Sequence, residues 1–435
     1  MEDDQICEIT SDCDCIPKDQ WLISIEKYVD QTTKKPQMER VPSLLRQNKS
    51  YTNCYDPLIV SIGPYHHGNQ KCEEFEKLKI PISHKFWYAC IDNHVSIEQL
   101  YEEVVKVGKS ARECYNKGWT DGYDDELFNR MMFLDACFVL HIMFIVRIEN
   151  AHNWTDENLK EVYDRLDKSF YHVLRDLFLL ENQIPLLTNS FSNAVKKFLK
   201  KMTGRSSESG PEEEIQNWDE SPHLLHLVRQ KLIWPFKHEK KNLMAYIREP
   251  NARESYLSVT ELQSAGIYFK PSKTRNLIDV EFKSRLVFGT LTLPSIRVDH
   301  LTKTLLLNLV AYEMCPHGPS DLRVTSYICL MDSLIDNADD VKELKKRRIL
   351  INKLGSDEKL AQFFNEISTD LVPPFLAYLD AKLKIDNHCK HKGHIWMAEW
   401  VHKYFSSPWA LMAFLGAILA LALTMAQTYF AAYQR

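Results

Sequence analysis

The 435-residue sequence lacks an excess of charge of either sign: 54 basic side chains stand against 59 acidic ones, for a formal net charge of −5. Binding along a nucleic-acid backbone draws on a basic stripe that releases counterions, so nucleic acid is not expected as a partner. Glycine is scarce, at 13 residues, and backbone suited to cradling phosphates is correspondingly limited. There is no Gly-x-Gly-x-x-Gly turn and no Gly-x-Ser-x-Gly elbow. Gly108-Lys109-Ser110 has the ending of a phosphate-binding loop, but Glu103 stands where that loop needs its leading glycine, and a carboxylate there repels phosphate. His238-Glu239 opens like a zinc-protease helix, yet Asn242 occupies the place of the second ligand. The first residues, Met1-Glu2-Asp3-Asp4, show neither a basic nor an apolar leader region, so no cleaved signal is expected and the body is read as cytosolic.

What is present is an ordinary globular balance, 45% hydrophobic and 26% charged, enough to bury a large core. In a reducing compartment most of the 11 cysteines read as small buried hydrophobes, not bridges, while Cys7, Cys13 and Cys15 of the N-terminal stretch read as exposed thiols. His388, Cys389, His391 and His394 cluster closely but lack a second well-separated pair, so no metal or cofactor is expected. His66-His67, between Pro64-Tyr65 and Gly68, has the composition of a structural turn. Glu181-Asn182-Gln183 and Glu313 adjoin strongly apolar helices, where side chains of this kind hydrogen-bond to backbone. No catalytic residue is assigned.

Helical spacing dominates, and the fold class is mainly α with a small β element (α+β). Residues 1–20 form an acidic N-terminal stretch, 21–402 a helical body, and 203–217 a disordered loop within it. One long helix is expected from Leu159, ended by Ile184-Pro185. Between Gly266 and Val298 the period falls from 3.6 to 2, which predicts a small antiparallel sheet over about 267–298. Asp339-Asp340 opens a helix whose last turns carry Lys345 and Lys346, matching the macrodipole.

From Trp409 to Ala426 no residue is charged. A bilayer core about 30 Å thick needs roughly 20 apolar residues in a helix, and 408–430 meets that length. Trp409, Leu411, Phe414, Leu415, Ile418, Leu419, Leu421, Leu423 and Tyr429 are the anchor residues, with the tryptophan and tyrosine at the interfaces. The Leu, Ile and Phe side chains contribute roughly −2 to −4 kcal/mol to insertion with no charge opposing them. The rival run from Met131 to Val146 carries Asp135, at a cost of about 3 kcal/mol, and reads as a buried core helix. The expected topology is a single C-terminal span inserted after synthesis, with the body in the cytosol and the plasma membrane or endoplasmic reticulum as host.

Several short patterns recur in a set order: Arg40-Val41-Pro42-x-x-Leu45-Arg46, Val60-Ser61-Ile62-Gly63-Pro64-Tyr65-His66-His67-Gly68, and Leu180-Glu181-Asn182-Gln183-Ile184-Pro185. Ser221-Pro222-His223-Leu224-Leu225, Gly289-x-Leu291-x-Leu293-Pro294 and Asn308-Leu309-Val310-Ala311-Tyr312-Glu313 follow. Together they resemble the plant family known as domain of unknown function 247, of the UPF0481 type, from about residue 20 to the C-terminus. Phe75-Glu76 stands where that family tends to have Met-Glu, and Met314 where a glutamine is usual. The resemblance implies a plant membrane protein with no assigned active site, some members being linked genetically to self-incompatibility. The expected function is a non-catalytic recognition or signalling protein with an unidentified protein partner and lipid around its C-terminal helix. The alternative is an enzyme of unrecognised type at a membrane surface, which requires a concave pocket gathering titratable residues such as Glu181, Asp332 or His66.

Overall fold

The computed structural model describes residues 38–48, 50–91, 96–147, 160–186, 222–233, 258–285, 288–369, 371, 377–390 and 408–433. Contacts divide the chain into Met1–Lys35 and Pro36–Arg435, and all described residues belong to the second unit. The 1–20 stretch, the 203–217 loop, His238-Glu239, His391 and His394 lie outside the described residues.

The chain is mainly helical. A short α1 (Ser43–Arg46) follows Pro42; then come α2 (Glu73–Ile91), α3 (Ile97–Glu113), α4 (Asp125–Arg147) and α5 (Lys160–Leu177). Ser96 and Gln99 form a reciprocal cap at the start of α3, satisfying backbone donors that no helix can pair internally. Gly108 lies inside α3 and a Cβ there would run into the Asn129 side chain of α4, so this glycine serves close helix packing and not a phosphate loop. Helix α4 contains the Met131–Val146 run and is a core helix, as its pattern indicates: Met131, Phe138 and Ile142 are buried, and Asp135 is buried with a lysine partner.

Helix α5 ends at Leu177, earlier than the apolar spacing suggests. The reason lies downstream: Asn182 Nδ2 donates to the Asp176 carbonyl at 2.9 Å, and Gln183 Nε2 donates to those of Leu177 and Leu179 at 2.8 Å. These amides take over carbonyls that a continuing helix would have paired. The chain runs irregularly through 178–186, and the next elements among the described residues are α6 (Leu224–Ile233) and α7 (Val259–Ser264).

Strands β1 (Ile267–Pro271), β2 (Glu281–Ser284) and β3 (Gly289–Leu293) form one sheet in the order β1-β3-β2. β2 and β3 are antiparallel, but β1 runs parallel to β3, with Ile267 opposite Gly289. A further strand, β4 (Ile296–Val298), pairs in parallel with β5 (Leu350–Asn352). The expected antiparallel sheet is therefore corrected, among the described residues, to one small sheet of mixed direction and one parallel pair. Strands β1 and β3 pair in parallel yet still alternate buried with more exposed side chains, the pattern usual for antiparallel strands, which is why the sequence pointed the other way.

Helices α8 (His300–Glu313), α9 (Arg323–Leu334), α10 (Ala338–Lys346), α11 (Asp357–Ser368) and α12 (Leu379–Lys390) complete the body. Helix α10 begins in a box between Asn337 and Asp340 and ends on Lys345 and Lys346, as read from the sequence. The buried apolar residues fall into two clusters. One gathers β1–β3, α8, α9 and α11, and the other gathers α2, α4, α5 and α6.

The final helix α13 (Pro408–Tyr433) spans 26 residues. Its side chains are described without a break only over 416–430, a stretch shorter than a bilayer crossing. Among the described residues no helix is long and apolar enough to cross a membrane.

Candidate functional site

The Gly63-Pro64 turn is built by carboxylates and amides far away in sequence. Asp176 accepts from the backbone of Leu58, Ile59 and Val60 at 3.0, 2.9 and 3.1 Å, so three successive N–H groups converge on one oxygen. Asn182 continues the grip, accepting from Ile62 N at 2.6 Å and donating to Val60 O at 3.1 Å. Asp135 accepts from Gly63 N at 2.7 Å. Gly63 has φ +75°, and a Cβ there would stand 2.7 Å from the Gln183 carbonyl, so glycine is required.

Beneath this turn Lys79 is almost fully buried, and its ammonium meets Ser61 O at 2.7 Å, Glu76 at 2.6 Å and Asp135 at 2.5 Å. Burial alone would lower the Lys79 pKa, but Asp135 and Glu76 raise it, so the lysine is held charged. Burial pushes the Asp135 carboxyl up while Lys79 and the Gly63 N–H pull it down. Both Asp135 oxygens face donors, a geometry that fits the ionised form.

The same turn delivers His66 to Glu181. The Glu181 side chain has no exposed surface, yet it faces two arginines: Arg46 Nη2 at 2.8 Å and Arg40 Nε at 3.4 Å. Val41 N–H donates to its Oε1 at 2.9 Å, and His66 Nε2 lies 3.5 Å from Oε2. Burial would raise the Glu181 pKa, but His66, Arg46, Arg40 and the Val41 N–H together hold it down at about 2. At 3.5 Å the His66 contact is too long for a full hydrogen bond, so the larger share belongs to the guanidinium groups. Glu181 is thus an ionised strut that ties the start of the body to the 178–186 segment.

Asp56, His66 and Glu181 offer ligand atoms within 4.8 Å of one another, the composition of a metal site. The cation there is Arg46, which bridges Asp56 at 2.9 Å and Glu181 at 2.8 Å. Next to it the Arg40 guanidinium stands over the Trp119 indole, its carbon 4.0 Å from the ring centroid.

A second polar cluster joins α6 to α8. His226 Nδ1 meets Tyr312 Oη at 2.7 Å and the Gln230 amide meets His226 Nε2 at 2.8 Å. Burial is the main cause that drives the His226 pKa down to about 4, and that of the neighbouring His223 well below its ordinary value. Glu313 accepts from Val324 N at 3.0 Å and Thr325 N at 2.8 Å, capping α9, and pairs with Arg229 at 2.6 Å.

The sequence-derived candidates fall out as follows. Glu181, Asn182, Gln183 and Glu313 are buried and hydrogen-bonded to backbone, as their setting indicates. Of the three titratable residues named as examples for a pocket, Glu181 and His66 meet, whereas Asp332 stands on α9 and is bonded to Ser368. The three do not form one pocket. His388 contacts Ser284 Oγ at 2.8 Å through Nδ1. The anchor residues all lie on α13; Ile418, Leu419, Leu421, Leu423 and Tyr429 are exposed, while the side chains of Trp409, Leu411, Phe414 and Leu415 are outside the described set. Arg40, Arg46, Asp56 and Trp119 were not singled out as a site from the sequence, although the Arg40-Val41-Pro42-x-x-Leu45-Arg46 spacing is the signal that marks two of them.

Residues 38–423 match DUF247, described as a plant protein of unknown function. A UPF0481 protein of Arabidopsis thaliana is 26% identical over 404 residues, covering 86% of this chain and 82% of its own. A second, putative in its printed name, is 24% identical over 519 aligned positions, covering 94% of each. No solved structure matches. With the match extending over nearly the whole described body, the chain belongs to the DUF247 family of plant proteins of unknown function.

Proposed function

We propose that the chain is a non-catalytic recognition protein whose helical body is held at a membrane by α13. The observation that carries this reading is the character of that helix. Ile418, Leu419, Leu421, Leu423, Met425 and Phe430 are all exposed, and no charged side chain stands anywhere between Trp409 and Ala426 to give the helix a charged face. An amphipathic helix lying on a surface would carry a polar face. The two threonine hydroxyls in the stretch, Thr424 and Thr428, bond back to the carbonyls of Ala420 and Thr424 at 2.7 and 2.6 Å, which satisfies them without water. Support for a binding role over a catalytic one comes from the way Glu181 is committed to two arginines and a backbone N–H, leaving no oxygen for proton transfer.

The test is alkaline carbonate extraction of membranes from plant cells expressing the full chain or a chain ending before Pro408. The expected result is that the full chain stays in the membrane pellet and the shortened one is released. Equal release of both would sink the anchor.

A further inference from the structure

Arg40 opens a motif whose other charged member, Arg46, bridges two carboxylates through its terminal nitrogens, yet Arg40 itself is only partly used. Its Nε faces Glu181 at 3.4 Å, and its terminal nitrogens have no partner among the described residues. Glu181 is shared with Arg46, which has Asp56 as well, so Arg40 is the less compensated of the two guanidinium groups. It is also the better exposed, at 37% against 24%.

The ground beneath Arg40 is rigid and aromatic. Trp119 lies under the guanidinium and meets Tyr65 edge to face, with ring centroids 5.7 Å apart. Tyr65 Oη donates to Met38 O at 2.5 Å, and its ring packs on Tyr115, which donates to Gln183 O at 3.0 Å. Trp119 nevertheless keeps 42% of its surface exposed. Tryptophan, tyrosine and arginine dominate binding energy at protein interfaces, and a pre-stacked guanidinium loses little freedom when it engages a partner. Its planar outer N–H groups match the two oxygens of a carboxylate.

We infer that the Arg40–Trp119 face is an interaction surface, and that its partner is a protein segment presenting an aspartate or glutamate beside an apolar side chain. The carboxylate pairs with the outer edge of Arg40, and the apolar neighbour covers the open indole. This rests on the recognition reading and names the surface that reading would use.

The experiment is fluorine NMR on the full chain in detergent micelles, labelled with 5-fluorotryptophan, with the Trp119 resonance assigned by its loss in Trp119→Phe. The probes are the capped peptide Gly-Asp-Leu-Asp-Gly, its counterpart Gly-Asn-Leu-Asn-Gly, and inorganic phosphate. The expected result is a saturable shift of the Trp119 resonance with the acidic peptide, at least tenfold tighter than with the amide peptide and absent with phosphate. Arg40→Gln removes the shift and Arg40→Lys retains part of it, while unchanged resonances of the other tryptophans report that both variants are folded. A Trp119 resonance that stays still, moves equally with the amide peptide, or follows phosphate as tightly as peptide overturns the proposal. Because the titration is done in micelles, failure of the anchor in cells leaves this shift intact, and the two readings fail separately.

Discussion

At the scale of single residues the protein spends its buried charges on fastening chain to chain. Glu181 is the clearest case, since removing one partner of a buried pair leaves the other uncompensated. Glu181→Gln keeps the shape but leaves Arg40 and Arg46 facing a neutral amide, and a loss of roughly 3 to 5 kcal/mol in urea unfolding at pH 7 is expected. The pH dependence has a definite sign. The folded pKa, about 2, lies below the ordinary 4.5, so the stabilisation is complete above about pH 4.5 and is lost as pH falls toward 2. That contribution amounts to about 3 kcal/mol. His226, buried with a pKa of about 4 against 6.5, acts in the same direction but begins at higher pH, between about 6.5 and 4. Asp176, whose pKa burial raises, runs the opposite way. The difference between wild type and Glu181→Gln therefore isolates the strut: it should shrink steadily below pH 4.5, and a difference that stays constant down to pH 2.5 would show that the charge is not what holds Glu181.

At the scale of elements the Gly63-Pro64 turn offers a controlled comparison. Gly63 and Gly68 both have positive φ, but a Cβ on Gly63 meets the Gln183 carbonyl whereas one on Gly68 meets nothing within 4 Å. Alanine at 68 is expected to cost about 1 kcal/mol for the left-handed backbone alone, and alanine at 63 roughly 2 to 4 kcal/mol because main chain must move as well. Equal losses in thermal unfolding would mean that the close approach at Gly63 is relieved cheaply. The same elements show what was readable in the sequence. The α4 core helix followed from Asp135 interrupting an apolar run, and the α10 start followed from Asp339-Asp340. The end of α5 did not, because apolar spacing continues through Leu180 while the stop is imposed by Asn182 and Gln183 folding back on the last carbonyls. Strand β5 has three residues, Leu350 to Asn352, too few for any period to register. At the candidate site Glu181 was legible as a buried acceptor, but its arginine partners lie more than 130 positions upstream, and nothing local links them.

At the scale of the whole molecule the two apolar clusters are joined through the short segment that holds the strut. Leu180 belongs to one cluster, where its N–H donates to Asn308 Oδ1 of α8 at 2.9 Å, and Phe178 and Ile184 belong to the other. Partly buried Leu232 and Leu305 pack against both clusters. The body should consequently unfold as one unit, with tryptophan fluorescence and far-ultraviolet circular dichroism tracing the same transition. Two separated transitions would show the clusters to be independent.

The long reach of these fastenings also bears on how the chain is made. Val41 waits 140 residues for Glu181, and Ile62 waits 120 for Asn182. On a ribosome adding about 5 to 20 residues per second, the Arg40-to-Gly63 region stays without its partners for several seconds after it emerges. Closure of so many distant contacts is slow and comes late, because the entropy of the intervening loops is lost before any contact rewards it. The segment that carries the Arg40-to-Arg46 and Gly63-Pro64 patterns is therefore the one that must be kept out of wrong pairings while the rest of the protein is still being synthesised.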